Sequence, residues 1–467
     1  MSEATPGPEL EAAQPTSLLA PGVLRQATIG IVLLTTLFAF ENMAVSTAMP
    51  TAVSDLHGLA WYGWGFTAFL IVQLVGNVLG GVLSDRRGAA LPVIAGVLVF
   101  IAGLLVAGSA TTMGQFVLGR GVQGLGAGLV MVAIYVVIGA VYPESLRASA
   151  VAILSAAWVV PTLIGPGVSG LLTQYLSWRA VFFVIVPLAV IGLLLVAPSL
   201  KGLARPRPRV EEDSRPDSRP DRWRWPSAVA LASGIALLQY AGERLTWLSL
   251  LPLASGVVLV GLGLPHLMPR GTFRLGRGLP SLMLLRAIMS GTFFGVESAV
   301  TLTLTRLHGF EPATVGLPLI VGSLGWSAAA WIVGRQSEAR RELGMRAGFG
   351  MLVVACVGMA ALGWSGTPGW IAFPTWIVGG AGIGMAMPAV SVLVLNLSPV
   401  EKRGANTSSL QLADGTGSSI CIALQGTLVA AATVGTLSLG QSVTTLDLIL
   451  GVVALGGVLL TSRLHPA

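Results

Sequence analysis

Four ionisable residues fall where the chain is otherwise apolar: Glu41, Arg120, Glu297 and Asp414. A charged side chain at the centre of a membrane-spanning helix costs roughly 2.5–3.5 kcal/mol on insertion scales, so each is a functional candidate by default. The chemistry open to them is proton binding. A low dielectric disfavours the charged form of a buried carboxyl, and water or a nearby cation reverses that preference, so access to one side of a membrane or the other decides when the proton is held. The two glutamates recur in register. Phe294-Gly295-Val296-Glu297-Ser298 repeats Phe38-Ala39-Phe40-Glu41-Asn42 at a shift of 256 residues, and the same shift carries Gly124, Gly126 and Gly128 onto Gly380, Gly382 and Gly384, and Arg147 onto Arg403. Duplicated halves are a common plan for secondary transporters, with the site between the halves near the bilayer midplane.

The elements that must position these residues are apolar runs. Hydrophobic residues make up 54% of the 467, charged residues only 10%, and the mean hydropathy is +0.81, against roughly 25% charge in a soluble domain. The chain therefore reads as an all-α polytopic membrane protein. Runs long enough to cross about 30 Å of hydrocarbon lie at about 27–49, 60–83, 90–110, 114–141, 148–172 and 180–199, then at 227–242 and 246–264, and finally at 281–305, 313–334, 346–365, 369–397, 404–432 and 445–462. Fourteen transmembrane helices are expected. Residues 1–26 read as a cytoplasmic tail, 27–200 as an N-terminal six-helix half, 201–226 as a charged, Pro-rich solvated linker, 227–280 as an inserted helix pair with a basic loop, and 281–463 as a C-terminal six-helix half.

The net charge of +7 does not point to nucleic acid, because the basic residues sit in short segments between apolar runs. Arg86 and Arg87, Arg147, the 201–224 cluster, Arg270 to Arg286, Arg335 to Arg346, Lys402 with Arg403, and Arg463 all fall on one side of the even-numbered count, against Arg179, Arg244 and Arg306 on the other. That asymmetry places both termini in the cytoplasm of a multi-pass cell-membrane protein. Asp447 is expected near a helix end, solvated or capping, and Glu243 with Arg244 in a solvated loop. Cys356 and Cys421 read as small buried hydrophobes. Neither Lys201 nor Lys402 is followed by a hydroxyl residue as a phosphate loop requires, the four histidines have no metal-ligand spacing, and no nucleophile-base or paired-carboxylate pattern supports an enzyme.

Several segments carry a resemblance. Gly81-Val82-Leu83-Ser84-Asp85-Arg86-Arg87-Gly88 resembles the loop signature of the major facilitator superfamily, with Ala89 and Ala90 at the places of two further bases. Arg120-Gly121-Val122-Gln123-Gly124-Leu125-Gly126 is similar to its Arg-x-x-Gln-Gly-x-Gly motif. Gly165-Pro166-Gly167-Val168-Ser169-Gly170 resembles the fifth-helix antiporter signature, with Pro161 and Ser169 replacing two glycines. Phe40 to Pro50, FENMAVSTAMP, is similar to the first-helix signature of fourteen-spanner drug:proton antiporters, with Glu41 at the acidic position. The resemblance implies a major facilitator fold, two six-helix halves plus two inserted helices. It further implies that Arg120 faces the central cavity and takes part in proton movement. Glu41, Glu297 and Asp414 join it as proton-coupling candidates because each is an acid within an apolar run, and Gln123, Gly124, Gly165, Pro166, Gly170, Asp85, Arg86 and Gly88 are expected to shape the cavity and its movements.

The expected function is export of amphipathic or cationic small molecules in exchange for protons by a monomer in the lipid bilayer, with protons as coupling ion and no other cofactor. A lipid or glycolipid translocator, or a proton-coupled nutrient symporter, would share the fold. Residues alone do not name the cargo.

Overall fold

The computed structural model describes residues 17–19, 21–143, 146, 149–150, 153–154, 157–201, 203, 224–244, 247–269, 271–334, 338–364, 366–398 and 403–463. Most of the expected tail and linker, together with Arg147, Arg335 and Lys402, lies outside them. Among the described residues the chain is helical and carries no strand. The long helices are α1 (Val23–Asp55), α2 (Trp64–Arg87), α3 (Ala90–Gly108), α4 (Met113–Val141), α5 (Val159–Tyr175), α6 (Ile185–Leu200), α7 (Arg224–Arg244), α8 (Leu250–Leu267), α9 (Leu279–His308), α10 (Leu317–Gly334), α11 (Glu338–Ala360), α12 (Ala372–Leu397), α13 (Arg403–Thr433) and α14 (Leu439–Leu460). One-turn helices, Ala180–Phe183 and Pro312–Val315, precede α6 and α10.

Among the described residues, twelve spans are long and apolar enough to cross a membrane; α5 and α7 are not among them. α5 has only 17 residues, and α7 carries Gln239 and terminal arginines. Local chemistry sets the ends. Thr112 accepts from the Gln115 amide to start α4, and Ser438 with Gln441 forms a capping box on α14. Gly88 closes α2 at φ +79, and Gly309 closes α9 at φ +68, backbone angles that cost glycine nothing.

Packing repeats between α1–α6 and α9–α14. In the first set α4 lies between α2 and α3 and α1 packs on α5 and α6; in the second α12 lies between α10 and α11 and α9 packs on α13 and α14. Glycines explain why the arrangement recurs. A Cβ on Gly124 would run into the Phe69 carbonyl of α2, and one on Gly126 into Phe100 of α3; Gly380 and Gly382 stand in the same way against Gly322 of α10 and Gly348 of α11. Residues two apart point to opposite sides of a helix, so alternate glycines let one helix be approached closely from both sides. Each set has its own apolar core, the first around Phe38, Phe69, Phe100 and Phe116, the second around Phe293, Phe349 and Trp376.

The two sets meet at the end opposite the termini. Tyr62 Oη donates to the Ser298 carbonyl at 2.9 Å, Thr301 Oγ1 to the Ser46 carbonyl at 2.6 Å, and the Ala313 amide to Gln174 Oε1 at 3.0 Å. α5 reaches the one-turn helix Pro312–Val315 closely enough there that a Cβ on Gly170 would lie 2.5 Å from the Pro312 carbonyl oxygen. α7 lies against both α2 and α13, with Gln239 accepting from Thr67, and α8 covers α7 with Leu251, Val257 and Leu262 facing outward. Of the aromatics near helix ends, Tyr62 and Trp178 are buried packing residues, whereas Trp61 and Trp370 are exposed.

Candidate functional site

α1, α2 and α4 bring three polar side chains together inside the first six helices. Arg120 Nη1 donates to Glu41 Oε1, and also to Gln123 Oε1 at 2.6 Å; its Nε donates to the Gly65 carbonyl at 2.8 Å. The guanidinium lies 4.6 Å from the centre of the Phe69 ring, a cation–π contact. Arg120 is 3% exposed and Glu41 not at all, so Arg120 does not snorkel to the surface. Glu41 and Arg120 are 79 residues apart, and only the packing of α1 on α4 joins them. Two atoms stay without a hydrogen-bond partner among the described residues, Glu41 Oε2 and Gln123 Nε2. The cluster is thus built to hold a charge pair and is incompletely saturated.

The second six helices do not copy this pair. Glu297 is 7% exposed on α9 and makes no ion pair or hydrogen bond among the described residues. The position 256 residues after Arg120 holds Trp376, which stacks on Phe293 at 4.9 Å. An aromatic pair fills the space that a guanidinium occupies in the first half. Glu297 instead adjoins the contact between halves, because its neighbour Ser298 receives the Tyr62 hydroxyl.

A second charge pair ties α9 to α13. Arg286 Nε donates to Asp414 Oδ1 at 2.7 Å, and Ser290 Oγ donates to the same oxygen. Asp414 retains 23% side-chain exposure against 4% for Arg286. Arg286, counted among the basic residues of one membrane face, is instead buried within α9, a correction that follows from its pairing. The signal was an arginine several residues inside the 281–305 run facing a known intramembrane acid. Asp447 also departs from expectation. It is the ninth residue of α14, 2% exposed, with Oδ1 unpartnered, and neither caps nor meets solvent. Arg244 ends α7, exposed, with its guanidinium 4.7 Å from the Tyr240 ring; the Glu243 side chain lies outside the described residues.

The remaining expected residues fall into two places. Gly165, Pro166 and Gly170 lie on α5 between α1 and the α10 region: Gly165 faces Met43, Pro166 meets Gly316, and Ser169 donates to the Ala44 carbonyl at 2.6 Å. Arg86 and Gly88 close α2 at the end near the termini, away from the buried pairs, and the Asp85 side chain lies outside the described residues. Among the described residues, no group of three or more His, Cys, Asp or Glu side chains stands ready to hold a metal.

Comparisons with known proteins agree with this architecture. An uncharacterized MFS-type transporter of Mycobacterium tuberculosis is 28% identical over 453 residues, which cover 90% of this chain but only 63% of that relative. Multidrug transporter protein MdtP of Bacillus subtilis is 25% identical over 417 residues, 86% of this chain and 74% of the relative. Among solved structures, a D-xylose-proton symporter superposes with TM-score 0.68 at 16% identity, covering 95% of this chain and 98% of that one. An auto-inhibited POT family peptide transporter gives 0.68 and 16%, over 94% and 98%. Likeness at such identity is one of fold. A family model described as Major Facilitator Superfamily matches residues 31–422; since the match runs from α1 into α13 and the helices pack as two like sets of six, the chain belongs to the Major Facilitator Superfamily.

Proposed function

We propose that this protein is a proton-coupled secondary active transporter that exports amphipathic or cationic small molecules across the cell membrane by alternating access. The observation that carries the reading is the buried Arg120–Glu41 pair with its unpartnered Glu41 Oε2. A proton arriving on Glu41 removes the charge that compensates Arg120, and an uncompensated buried charge costs about 3–5 kcal/mol. That cost favours any rearrangement that gives Arg120 water or a new counterion. Glu297, beside the contact between halves, is the matching acid of the second half. With the termini cytoplasmic, as the arginine asymmetry implies, the closed end is extracellular and the structure is inward-facing. Each proton moving inward makes available about 2.3 kcal/mol per 100 mV of membrane potential. The multidrug transporter among the relatives supports export and a drug-like cargo.

The test uses everted membrane vesicles energised to be acid inside, a pH-sensitive dye and a panel of cationic dyes and antibiotics. Cargo-induced proton efflux is expected, and its loss in Glu41→Gln and in Glu297→Gln. Full proton-dependent transport by both variants would refute the assignment.

A further inference from the structure

Coupling through Glu41 and Glu297 does not use Asp447, a carboxyl that is 2% exposed. It sits on α14, which packs against α9, α11 and α13, and its Oδ1 has no hydrogen-bond partner among the described residues. The titratable side chains described on those helices are Glu342, Arg346 and Cys356 of α11, Asp414 and Cys421 of α13, and Arg286, Glu297, Arg306 and His308 of α9, of which Arg306 and His308 lie toward the closed end. The buried guanidinium of α9, Arg286, is taken by Asp414 of α13. No cation among the described residues pairs with Asp447. A lone buried carboxylate costs several kcal/mol as an ion, so a carboxyl in this place is either a structural liability or a proton carrier.

The second observation is a vestibule directly beyond it. At the end opposite the termini, His308, Trp364, Ser438, Gln441 and Thr444 line a cavity of about 580 Å³ bounded by α9, the α11–α12 connection and α14. Thr444, with its hydroxyl donated to the Ala360 carbonyl at 2.9 Å, forms part of the lining, and His308 is held by the Leu362 carbonyl at 2.9 Å. Asp447 follows Thr444 by three residues. At 1.5 Å per residue that is about 4.5 Å deeper on the same side of the helix. The vestibule belongs wholly to the second six helices and not to the seam between halves, so closing that seam does not close it.

We propose that Asp447 is a further proton-binding site, loaded from the outer face through this vestibule while the halves are closed against each other there. The proposal rests on the proton-coupled reading and adds a site and an entry route that Glu41 and Glu297 do not supply. A proton enters past His308 and the Thr444 hydroxyl, resides on Asp447, and leaves when movement of α9 against α14 gives the carboxyl a new outlet.

Infrared difference spectroscopy of the full chain in proteoliposomes, titrated by external pH, tests it. A buried carboxylic C=O band is expected in the parent, lost in Asp447→Asn and kept in Glu297→Gln. In Thr444→Val the band stays, but its deuterium exchange from the outside slows by roughly tenfold, as for the loss of one hydrogen bond. An unchanged band pattern in Asp447→Asn overturns the site; should that variant not fold, unchanged exchange in Thr444→Val overturns the route that defines the proposal. The spectra need no cargo. Loss of the band in Asp447→Asn alongside silent vesicles would therefore sink the export reading and keep the site, and the reverse result would do the opposite.

Discussion

Removing Glu41 alone, Arg120 alone and both together should give strongly non-additive stabilities. In Glu41→Leu the guanidinium keeps Gln123 Oε1 at 2.6 Å, the Gly65 carbonyl at 2.8 Å and the Phe69 face at 4.6 Å, but it loses the one negative charge beside it. With Arg120 at 3% exposure, solvent cannot replace that charge, and the expected loss is about 3 kcal/mol, the low end for a broken buried pair because other acceptors remain. Arg120→Met strands Glu41, whose Oε2 already lacks a partner, so its cost lies nearer 5 kcal/mol. Glu41→Leu with Arg120→Met removes both charges together. Only the neutral acceptors Gln123 and Gly65 are then left short, and the double variant should fall within about 2 kcal/mol of the parent. The coupling between the two sites is thus about 6 kcal/mol. Unfolding of the purified protein in mixed micelles, followed through its 12 tryptophans, measures all four corners of the cycle. A double variant as unstable as the two single ones added together would refute the reasoning. Transport should be absent in all three variants, because the double variant restores stability without restoring a proton site.

Two further predictions concern contacts that the buried pair does not touch. Asp414→Asn should lower stability by about 1–2 kcal/mol, since Arg286 and Ser290 then share a neutral acceptor in place of a charged one; an unchanged unfolding midpoint would mean that the pair does not hold α9 to α13. Gly170→Val should block the close approach of α5 to Pro312, where a Cβ would stand 2.5 Å from the carbonyl oxygen. Cysteines placed at Gln174 and Ala313, whose native groups meet at 3.0 Å, should cross-link readily in the parent background and poorly with Gly170→Val. Equal cross-linking would show that the halves do not close through this contact.

Much of the fold was legible because the bilayer imposes it. Every backbone group inside hydrocarbon must be satisfied within its own segment, so apolar runs of sufficient length read as helices before any packing is known. The internal repeat was legible for a related reason: Gly124, Gly126 and Gly128 and their counterparts Gly380, Gly382 and Gly384 are needed wherever one helix is approached closely from both sides. Glu41, Arg120, Glu297 and Asp414 stood out because each is costly where it lies. The burial of Asp447 and Arg286 was not legible, because distance from a helix end does not measure exposure. Which side of a helix a residue faces depends on its neighbours in space, and the run itself does not record them.

What the sequence determined by itself was therefore the set of spanning segments, their duplication and the presence of intramembrane charge, all of which follow from the local cost of polarity in lipid. The tertiary structure decided who meets whom. Arg120 pairs with Glu41 across 79 residues and Arg286 with Asp414 across 128. Glu297 faces no arginine because position 376 is a tryptophan stacked on Phe293, and Asp447 lies buried one turn beyond a vestibule. Pairings of this kind are set by which helix faces pack together, a property of the whole bundle that composition and spacing along one helix do not contain.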